Sequence, residues 1–325
     1  MEKIKFGILG TSEIAFRRFL PALKQLDNTF EYIGVASRNL DKTKKFIDAF
    51  GGKGYASYNE LIEDKNINVV YVPLPPALHY EWGKKALMAG KHVLLEKPFC
   101  INTKQTEELV NIAIENNLAL HENYMFIFHR QLDMIQNIIQ SNEIGKVRLY
   151  RIAFGFPKRA ANDFRYNKNL GGGALLDCGG YTLKLANILL GDTARIVNSK
   201  LVNESEEVDL YGSATLENNN SITAQIAFGM DNAYKCELEV WGSKGILKAP
   251  RIFTAPPEYE TELELLTNDG VEKINVGIDN QFANSIEFFR KCIMKAEFRR
   301  MNYKNILQQS KLIDSLQKGE IRNEN

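Results

Sequence analysis

Two short motifs contain the side chains of this chain that are best suited to acid–base chemistry. GKHVLLEKP over residues 90–98 places Lys97 at the end of an apolar strand pattern, and GGGALLDCGGY over residues 171–181 ends in Tyr181. Oxidising an alcohol or reducing a ketone needs a proton donor or acceptor beside the reacting carbon. A phenol, with a reference pKa of ~10, is a poor base at neutral pH unless a cation lowers that pKa. Asp177 lies one helical turn before Tyr181 and is expected on the same helix face. Taken singly, a salt-bridged lysine, a solvated aspartate and a core tyrosine are the alternatives.

A glycine turn near the start of the chain has the spacing of a phosphate-binding loop. GILGTSEIA over residues 7–15 lies where a strand pattern gives way to a helical one. Gly10 allows a tight turn, and the amides at the helix start can hold a pyrophosphate. Ser12 stands where a second glycine is usual, so a turn in an α/β protein that binds no nucleotide is the alternative. The predicted cofactor contacts of this turn are Gly10, Thr11, Ser12, Glu13 and Ile14.

The end of the second strand pattern indicates which nicotinamide cofactor the turn would serve. Sites that prefer NAD usually place Asp or Glu there to bind the ribose 2′-hydroxyl. This chain has Ser37 and Arg38, with Lys42 shortly after. A guanidinium and a hydroxyl suit a 2′-phosphate, which a carboxylate would repel. The residues favour NADP(H) over NAD(H), and an ordinary solvated arginine in a loop is the alternative.

These residues are positioned by two differently patterned parts of the chain. Up to about residue 123, apolar strand patterns alternate with helical ones, which indicates a parallel sheet covered on both faces. Later strand patterns follow one another with short turns, which indicates an antiparallel sheet. We predict an α/β protein with a Rossmann doubly wound domain over residues 1–123. An α+β domain over residues 124–325, with a large, mostly antiparallel sheet, would serve the substrate and oligomerisation. The last helices could pack back on the Rossmann domain.

The predicted strands are Ile4–Leu9, Tyr32–Ala36, Val69–Pro73, His92–Leu95, Ala119–Leu120, Val147–Phe154, Leu210–Leu216, Ile222–Phe228 and Cys236–Trp241. The predicted helices are Ile14–Leu26, Asp41–Phe50, His79–Ala89, Thr103–Asn116, Leu132–Gln140, Asn280–Ala296 and Tyr303–Gln317.

Composition argues against several other classes of protein. The net charge is +1, so no overall field attracts nucleic acid or an anionic membrane. No apolar run approaches the ~20 residues that span a bilayer. The four cysteines form no CxxC pair, and the four histidines show no HExxH spacing, so we expect reduced thiols and no metal site. The absence of a GxSxG elbow speaks against a serine hydrolase. We predict a cytoplasmic protein without a metal, nucleic-acid or membrane partner.

The two motifs, in this order and after a glycine turn, resemble those of the Gfo/Idh/MocA oxidoreductases. In that family the lysine matching Lys97 lies near the nicotinamide, and Asp and Tyr or His face it from the second domain. The resemblance implies that Tyr181 carries the proton, that Lys97 orients the substrate oxygen and that Asp177 pairs with Lys97 or the substrate. It also implies further cofactor contacts, from the loop after the strand at 69–73 and from the residue before Lys97. They are Pro73, Leu74, Pro75, His79 and Glu96.

Details of the sequence resemble the branch of NDP-hexose 3-ketoreductases and of pyranose and dihydrodiol dehydrogenases. Examples are Tyr rather than His at position 181, and DFR over residues 163–165. We predict hydride transfer from NADPH to a keto carbon of a hexose, possibly nucleotide-linked, with Arg165 and Tyr124 as substrate contacts. An aldose or dihydrodiol dehydrogenase is the alternative, and a non-catalytic NADP-binding regulator would need neither Lys97 nor Tyr181. A homodimer or homotetramer is expected through the C-terminal sheet, whose second face has few helices to cover it.

Overall fold

The computed structural model describes residues 2–204 and 206–319 of the chain. These residues form two compact units. The first comprises residues 2–123 and 282–310, and the second comprises the described parts of 124–281 and 311–319. Within the described ranges, no helix combines the length and apolar character needed to cross a lipid bilayer. The same ranges contain no cluster of three or more His, Cys, Asp or Glu side chains arranged to hold a metal ion.

The sheet of the first unit is parallel and six-stranded, with strand order β3-β2-β1-β4-β5-β6. Its strands are β1 (Ile4–Leu9), β2 (Phe30–Ala36), β3 (Lys53–Tyr55), β4 (Val69–Val72), β5 (His92–Leu95) and β6 (Leu120–Glu122). β4 is buried along its whole length, as expected for a parallel strand covered on both faces. The prediction of a Rossmann-type sheet is therefore confirmed.

Helices connect these strands. They are α1 (Leu20–Lys24), α2 (Asp41–Phe50), α3 (Tyr58–Glu63), α4 (His79–Met88) and α5 (Thr103–Glu115). A π-helical turn over Ala15–Phe19 precedes α1 and interrupts the helix that the sequence predicts there. The Ser57 hydroxyl and the Asn102 amide oxygen cap α3 and α5, since each accepts a hydrogen bond from a backbone N–H three residues on. The sequence patterns did not predict β3 and α3, which are short.

The sheet of the second unit has eight strands in the order β14-β13-β12-β11-β7-β10-β9-β8. The strands are β7 (Val147–Gly155), β8 (Arg195–Val202), β9 (Tyr211–Glu217), β10 (Thr223–Gly229), β11 (Lys235–Gly242), β12 (Gly245–Ala249), β13 (Thr261–Thr267) and β14 (Gly270–Gly277). All pairings are antiparallel except that of β7 with β10, so the prediction of a mostly antiparallel sheet is confirmed. The parallel pair is possible because a helix and two strands separate its members along the chain.

In the described part of the chain, four α-helices follow β6: α6 (Arg130–Gln140), α7 (Gly180–Leu190), α8 (Gln281–Met294) and α9 (Ala296–Lys318). A second π-helical turn, over Leu175–Gly179, precedes α7. Residues 282–310 group with the first unit, although they follow the second sheet in sequence. Their contacts explain this: Asn302 donates to the Leu120 carbonyl at 2.7 Å, Tyr303 donates to the Leu118 carbonyl, and Phe289 stacks on His121.

Candidate active site

The glycine turn after β1 has the close approach that its sequence predicts. Gly10 has a φ of +95°, and a Cβ there would lie 2.6 Å from the Leu74 Cδ2 atom, so only glycine fits without displacement. Ser12, in the second glycine position, uses its hydroxyl to accept a hydrogen bond from the Ala15 backbone N–H at 3.2 Å. Ser12 therefore caps the helical segment that begins at Glu13, and the turn retains backbone amides at a helix start, as a diphosphate requires.

The other predicted residues of this turn differ in exposure. Thr11 and Ile14 are half-buried. Glu13 is exposed and forms ion pairs with Arg17 at 2.6 Å and Lys45 at 3.0 Å. Hydrogen bonds from Lys45 and Arg17 lower the pKa of the Glu13 carboxyl. Glu13 thus links the helical segment that follows the glycine turn to α2.

The carboxyl end of β2 presents two cations. Arg38 and Lys42 are exposed, whereas Ser37 is buried and accepts a hydrogen bond from the Asn39 backbone N–H at 3.3 Å. Arg38 also interacts with the hydroxyl of Tyr58, whose pKa is raised by burial against the opposing effect of that arginine. Sequence reasoning missed Tyr58, since it lies in the short helix α3. The exposed charges of Arg38 and Lys42 fit the 2′-phosphate of NADP(H).

His79 fastens the loop that follows β4. Pro73, Leu74 and Pro75 form this loop, and α4 begins at His79. The His79 Nδ1 atom lies 2.8 Å from the Pro98 carbonyl oxygen, and Nε2 lies 2.7 Å from that of Leu74. The ring is fully buried, which lowers its pKa. Its contacts are thus with the backbone, and they tie the β4 loop to the segment after β5.

The carboxylate of Glu96, at the end of β5, is held by donors from neighbouring strands. The Tyr71 hydroxyl donates to its Oε1 atom at 2.6 Å, and the Asn123 amide donates to the same atom at 2.7 Å. The backbone N–H of Lys97 also bonds this carboxylate. Burial raises the pKa of Glu96, while these donors and the Lys97 charge oppose the rise. The side chain of Glu96 therefore fixes the backbone from which Lys97 projects.

A row of hydrogen bonds leads from Glu96 to the C-terminal helices. The Ser285 hydroxyl donates to the Asn123 amide oxygen at 2.8 Å and lies 2.9 Å from the His121 Nε2 atom. The Asn302 amide nitrogen lies 3.3 Å from the His121 Nδ1 atom. Because the Ser285 hydroxyl donates its hydrogen to Asn123, it can only accept from His121. His121 must therefore donate from Nε2 and accept at Nδ1. Every donor in the row then points towards Glu96. Sequence reasoning missed His121, Asn123, Ser285 and Asn302.

In the second unit, Tyr181 lies in α7 within a cluster of aromatic rings. The rings of Tyr124, Phe126, Phe154 and Phe253 have centroids 5.2, 5.7, 5.2 and 5.6 Å from its own. The side chain is 6% exposed, and its hydroxyl lies 3.7 Å from the Met125 sulfur. The ring is therefore packed against aromatic neighbours.

Tyr124 lies against Tyr181 and is itself fully buried. Its hydroxyl lies so close to Gly180 that a Cβ at that position would collide with it. The ammonium of Lys184 lies 5.8 Å from the centre of the Tyr124 ring. The structure thus brings Tyr124 and Tyr181 together, and the predicted substrate contact of Tyr124 stays a prediction.

Asp177 and Arg165, two further predicted site residues, form an ion pair. The Arg165 Nε atom donates to the Asp177 carboxylate at 2.6 Å, and its Nη1 atom donates to Asp163 at 3.1 Å. This arginine partner differs from the predicted pairing of Asp177 with Lys97 or substrate. Because Asp177 lies in the π-helical turn before α7, the pair ties the 163–165 segment to the turn that precedes Tyr181.

Asp209 supports the same turn. Its carboxylate accepts a hydrogen bond from the Leu175 backbone N–H at 2.6 Å, and its backbone oxygen accepts one from Ala174 at 2.8 Å. Burial raises the pKa of this carboxyl. Asp209 was not predicted as a site residue, because a lone aspartate before a strand carries no pattern that links it to a helix start 34 residues earlier.

A parallel sheet with a glycine turn at the end of β1, cations at the end of β2 and a lysine after β5 defines a dinucleotide-binding oxidoreductase. The comparison with known families gives the same class. Residues 4–124 match the oxidoreductase family with an NAD-binding Rossmann fold, and residues 133–248 match the GFO/IDH/MocA C-terminal domain. The chain belongs to the GFO/IDH/MocA family, so the predictions of the family and of an oxidoreductase are confirmed.

Several relatives match almost the whole chain. The dTDP-3,4-didehydro-2,6-dideoxy-alpha-D-glucose 3-reductase of Actinomadura kijaniata is 38% identical over 317 residues, covering 97% of this chain and 95% of its own. The enzyme of the same name from Saccharopolyspora spinosa is 36% identical, covering 89% and 87%. A crystal structure of a 3-ketoreductase from Actinomadura kijaniata, in complex with NADP and TDP-benzene, matches with a TM-score of 0.94 and 37% identity over 98% of both chains. Variants of that ketoreductase with one tyrosine or one lysine replaced have also been solved.

Proposed function

We propose that this chain is an NADPH-dependent reductase of a keto-hexose linked to a nucleoside diphosphate. The observation that carries the proposal is that a 3-reductase of a dTDP-linked sugar is similar over nearly the whole chain, including the second unit. The presence of both Lys97 and Tyr181 supports catalysis rather than a purely regulatory role. The solved tyrosine and lysine variants of the similar ketoreductase give the same two residue types further support.

The proposed reaction divides between residues of the two motifs. NADPH, when bound, supplies the hydride that the carbonyl carbon receives. Lys97 holds the carbonyl oxygen and stabilises the negative charge that develops on it. Tyr181 donates the proton that completes the alcohol, and solvent reprotonates the phenol. Asp177 positions this part of the chain through Arg165 rather than acting on the substrate directly.

The assignment of NADP(H) rests on the end of β2. We propose that Arg38 and Lys42 bind the 2′-phosphate and that the glycine turn holds the diphosphate. Arg38→Ala should weaken NADPH binding by about tenfold or more and leave NADH binding nearly unchanged, since it removes one charge-assisted phosphate contact. Dissociation constants from fluorescence titration measure this. Lys44→Ala, which removes an exposed lysine of the following helix α2, is the matched control. Equal affinities of the wild type for NADPH and NADH would contradict the assignment.

An activity assay tests the reductase proposal as a whole. Loss of nicotinamide absorbance should follow when NADPH and a TDP-linked 3-keto sugar are mixed with the protein. Free aldoses and dihydrodiols with NADP⁺ are the comparison substrates. Turnover confined to those alcohols would make the chain an aldose or dihydrodiol dehydrogenase, and no turnover with any substrate would favour a regulator.

We also propose that the chain forms a homodimer or homotetramer through the second sheet and acts in the cytoplasm. One face of that sheet supports the proposed oligomer. Trp241 on this face is 45% exposed, and small residues such as Ala153 and Ala227 also lie there. The four cysteines are buried free thiols, which fits a reducing compartment. Light scattering that shows a monomer at micromolar concentration would contradict the oligomer.

A further inference from the structure

A row of aromatic rings leads from Tyr181 to one end of the second sheet. Phe154 lies on Tyr181 with a centroid distance of 5.2 Å, and Phe156 follows at 6.2 Å from Phe154. Gly155 is paired with Lys235 on the neighbouring strand β11, so Phe156 and Tyr234 lie at the same end of the two strands. Because alternate residues of a strand share a face, Phe156 continues the face on which Phe154 meets Tyr181.

Two arginines lie over aromatic rings at this end of the sheet. The Arg159 guanidinium carbon is 4.8 Å from the centre of the Phe156 ring. The Arg251 guanidinium carbon is 5.6 Å from the Tyr234 ring and 5.2 Å from the Tyr259 ring. Tyr234 and Tyr259 are 49% and 38% exposed, so their rings can be reached from solvent. We call these five residues the Arg–aromatic rim.

The rim is connected to Tyr181 on a second side. Phe253, two residues after Arg251, has its ring centroid 5.6 Å from that of Tyr181. Its segment is held by Gln131, whose amide donates to the Ile252 carbonyl at 3.2 Å, and by Gln281, whose amide donates to the Ala255 carbonyl at 3.0 Å. Arg251 therefore lies in a segment that is held by hydrogen bonds and that packs against Tyr181, the proposed proton donor.

The charges of the rim differ from that of Arg165, the arginine that the sequence singled out. Arg165 is neutralised by Asp163 and Asp177. Neither Arg159 nor Arg251 has a carboxylate partner in residues 2–204 and 206–319. The Nε atom of Arg251 is, in addition, buried without a hydrogen-bond partner among those residues. Two guanidinium groups without a carboxylate partner in the described part of the chain, one beside half-buried Phe156 and one beside exposed Tyr234 and Tyr259, suit an anion that carries an aromatic group.

We propose that the Arg–aromatic rim binds the nucleoside diphosphate of the substrate. Arg159 and Arg251 take the diphosphate, Tyr234 or Tyr259 stacks on the base, and the sugar extends along Phe154 towards Tyr181. The substrate identity rests on the proposed function, whereas the recognition of a nucleoside diphosphate rests on the rim itself. Guanidinium groups match phosphate oxygens in a bidentate geometry, and stacking on an aromatic ring stabilises a base.

Direct binding of TDP tests this site without the need for turnover. TDP is titrated by calorimetry into the protein saturated with NADP⁺, so that the phosphate contacts of the cofactor are already occupied. Arg251→Ala and Arg159→Ala should each raise the dissociation constant of TDP by about tenfold or more, as expected for a charge-assisted phosphate contact. Both variants should keep the wild-type affinity for NADPH. Thymidine alone should bind far more weakly than TDP to the wild type.

Arg151→Ala is the matched control. Arg151 also lies over an exposed ring, at 5.3 Å from Trp241, but it is paired with Glu239 and lies on the opposite face of β7 from Phe154. It should leave the TDP affinity within about twofold of the wild type, less than one charge-assisted contact provides.

The outcomes separate the two proposals. The proposal that the rim binds TDP would be overturned by an unchanged TDP affinity in both rim variants, or by an equal loss of TDP affinity in Arg151→Ala. Either result would do so even if the wild type reduces keto sugars. Rim-dependent TDP binding by a protein that reduces no keto sugar would support the rim and overturn the proposed reductase.

Discussion

The lysine motif of the first unit is supported by hydrogen bonds, whereas Tyr181 in the second unit is supported by aromatic rings. Glu96, beside Lys97, receives hydrogen bonds from Tyr71 and Asn123, and a row of donors continues to His121 and Asn302. Tyr181 instead has four ring neighbours within 5.7 Å, and its hydroxyl lies 3.7 Å from the Met125 sulfur.

The two kinds of support respond differently to substitution. A buried hydrogen bond is directional, so the loss of one member leaves its neighbours with unsatisfied polar groups. Packed rings depend on volume, so a substitution that preserves the ring costs little. We therefore expect a substitution at Tyr181 that keeps the ring to lower turnover without lowering stability. A substitution among the residues that support Glu96 should lower stability and turnover together.

Lys97→Ala should have the largest effect on turnover. It removes the charge proposed to lie nearest the developing alkoxide, so kcat should fall by ~10²–10⁴-fold or more. Glu96 keeps its donors from Tyr71 and Asn123, so the melting temperature should change little. Steady-state kinetics and thermal unfolding of the same preparation measure both. Near-wild-type turnover would overturn the proposed mechanism.

Tyr181→Phe should lower kcat by ~10²–10⁴-fold and leave NADPH affinity intact. The phenylalanine keeps the ring against Phe154 and Phe253, so the free energy of unfolding should change by less than about 1 kcal/mol. A small loss of kcat would make the phenol a group that positions the substrate, with water or Lys97 supplying the proton. A large loss of stability would show that the hydroxyl, and not the ring, holds this site.

The sequence predicted those parts of both sites that lie within one short motif. The turn at Gly10, the cations at the end of β2 and the end of β5 are where the apolar patterns indicate strand ends, and β1, β5 and α2 have the predicted bounds. The row of residues that supports Glu96 was not predictable in this way. Ser285 lies 162 positions from Asn123, and single polar residues in an amphipathic helix carry no periodic signal.

The second unit shows a different limit of the sequence. Strand β13 alternates buried Leu263 and Leu265 with the more exposed Glu262 and Glu264, so its pattern was readable but did not enter the prediction. The parallel pairing of β7 with β10 had no local signal, since it depends on which strands the intervening helix allows to meet. The Arg–aromatic rim likewise assembles from three separate segments.

Acid should destabilise the protein partly through His92 of the first unit. The His92 Nδ1 atom accepts a hydrogen bond from the Ala119 backbone N–H at 2.9 Å, and burial lowers the pKa of the ring to about 4. Because the unfolded chain binds the proton more readily, the stabilising contribution is present above pH ~6.5 and is lost as the pH falls towards 4. At pH ~5 the loss from this residue is at most about 2 kcal/mol.

His92→Asn isolates that contribution, because the Asn oxygen can accept the same hydrogen bond but does not titrate. Urea unfolding of both proteins at pH ~7.5 and pH ~5 measures the difference. The wild type should lose more free energy of unfolding than the variant between the two values. Identical losses would show that His92 is protonated equally in the folded and unfolded chains.

Ser285→Ala tests the row of donors at its centre and should have the smallest effect on turnover. It leaves the His121 Nε2–H group and the Asn123 amide oxygen without their partner, at a cost of about 1–3 kcal/mol in stability. Asn123 then holds Glu96 less firmly, and a weakening of about 1 kcal/mol corresponds to a loss of about fivefold in kcat. Ser310→Ala is the matched control, because its buried hydroxyl also joins a C-terminal helix, here α9, to an earlier part of the first unit, through Thr106 of α5 at 2.9 Å. Among the described residues, it belongs to no row that reaches Glu96. Both variants should lose comparable stability, and only Ser285→Ala should lose kcat, with Ser285→Thr restoring part of it. An equal loss of kcat in both serine variants would mean that the row supports the fold of the first unit and has no separate role in positioning Lys97.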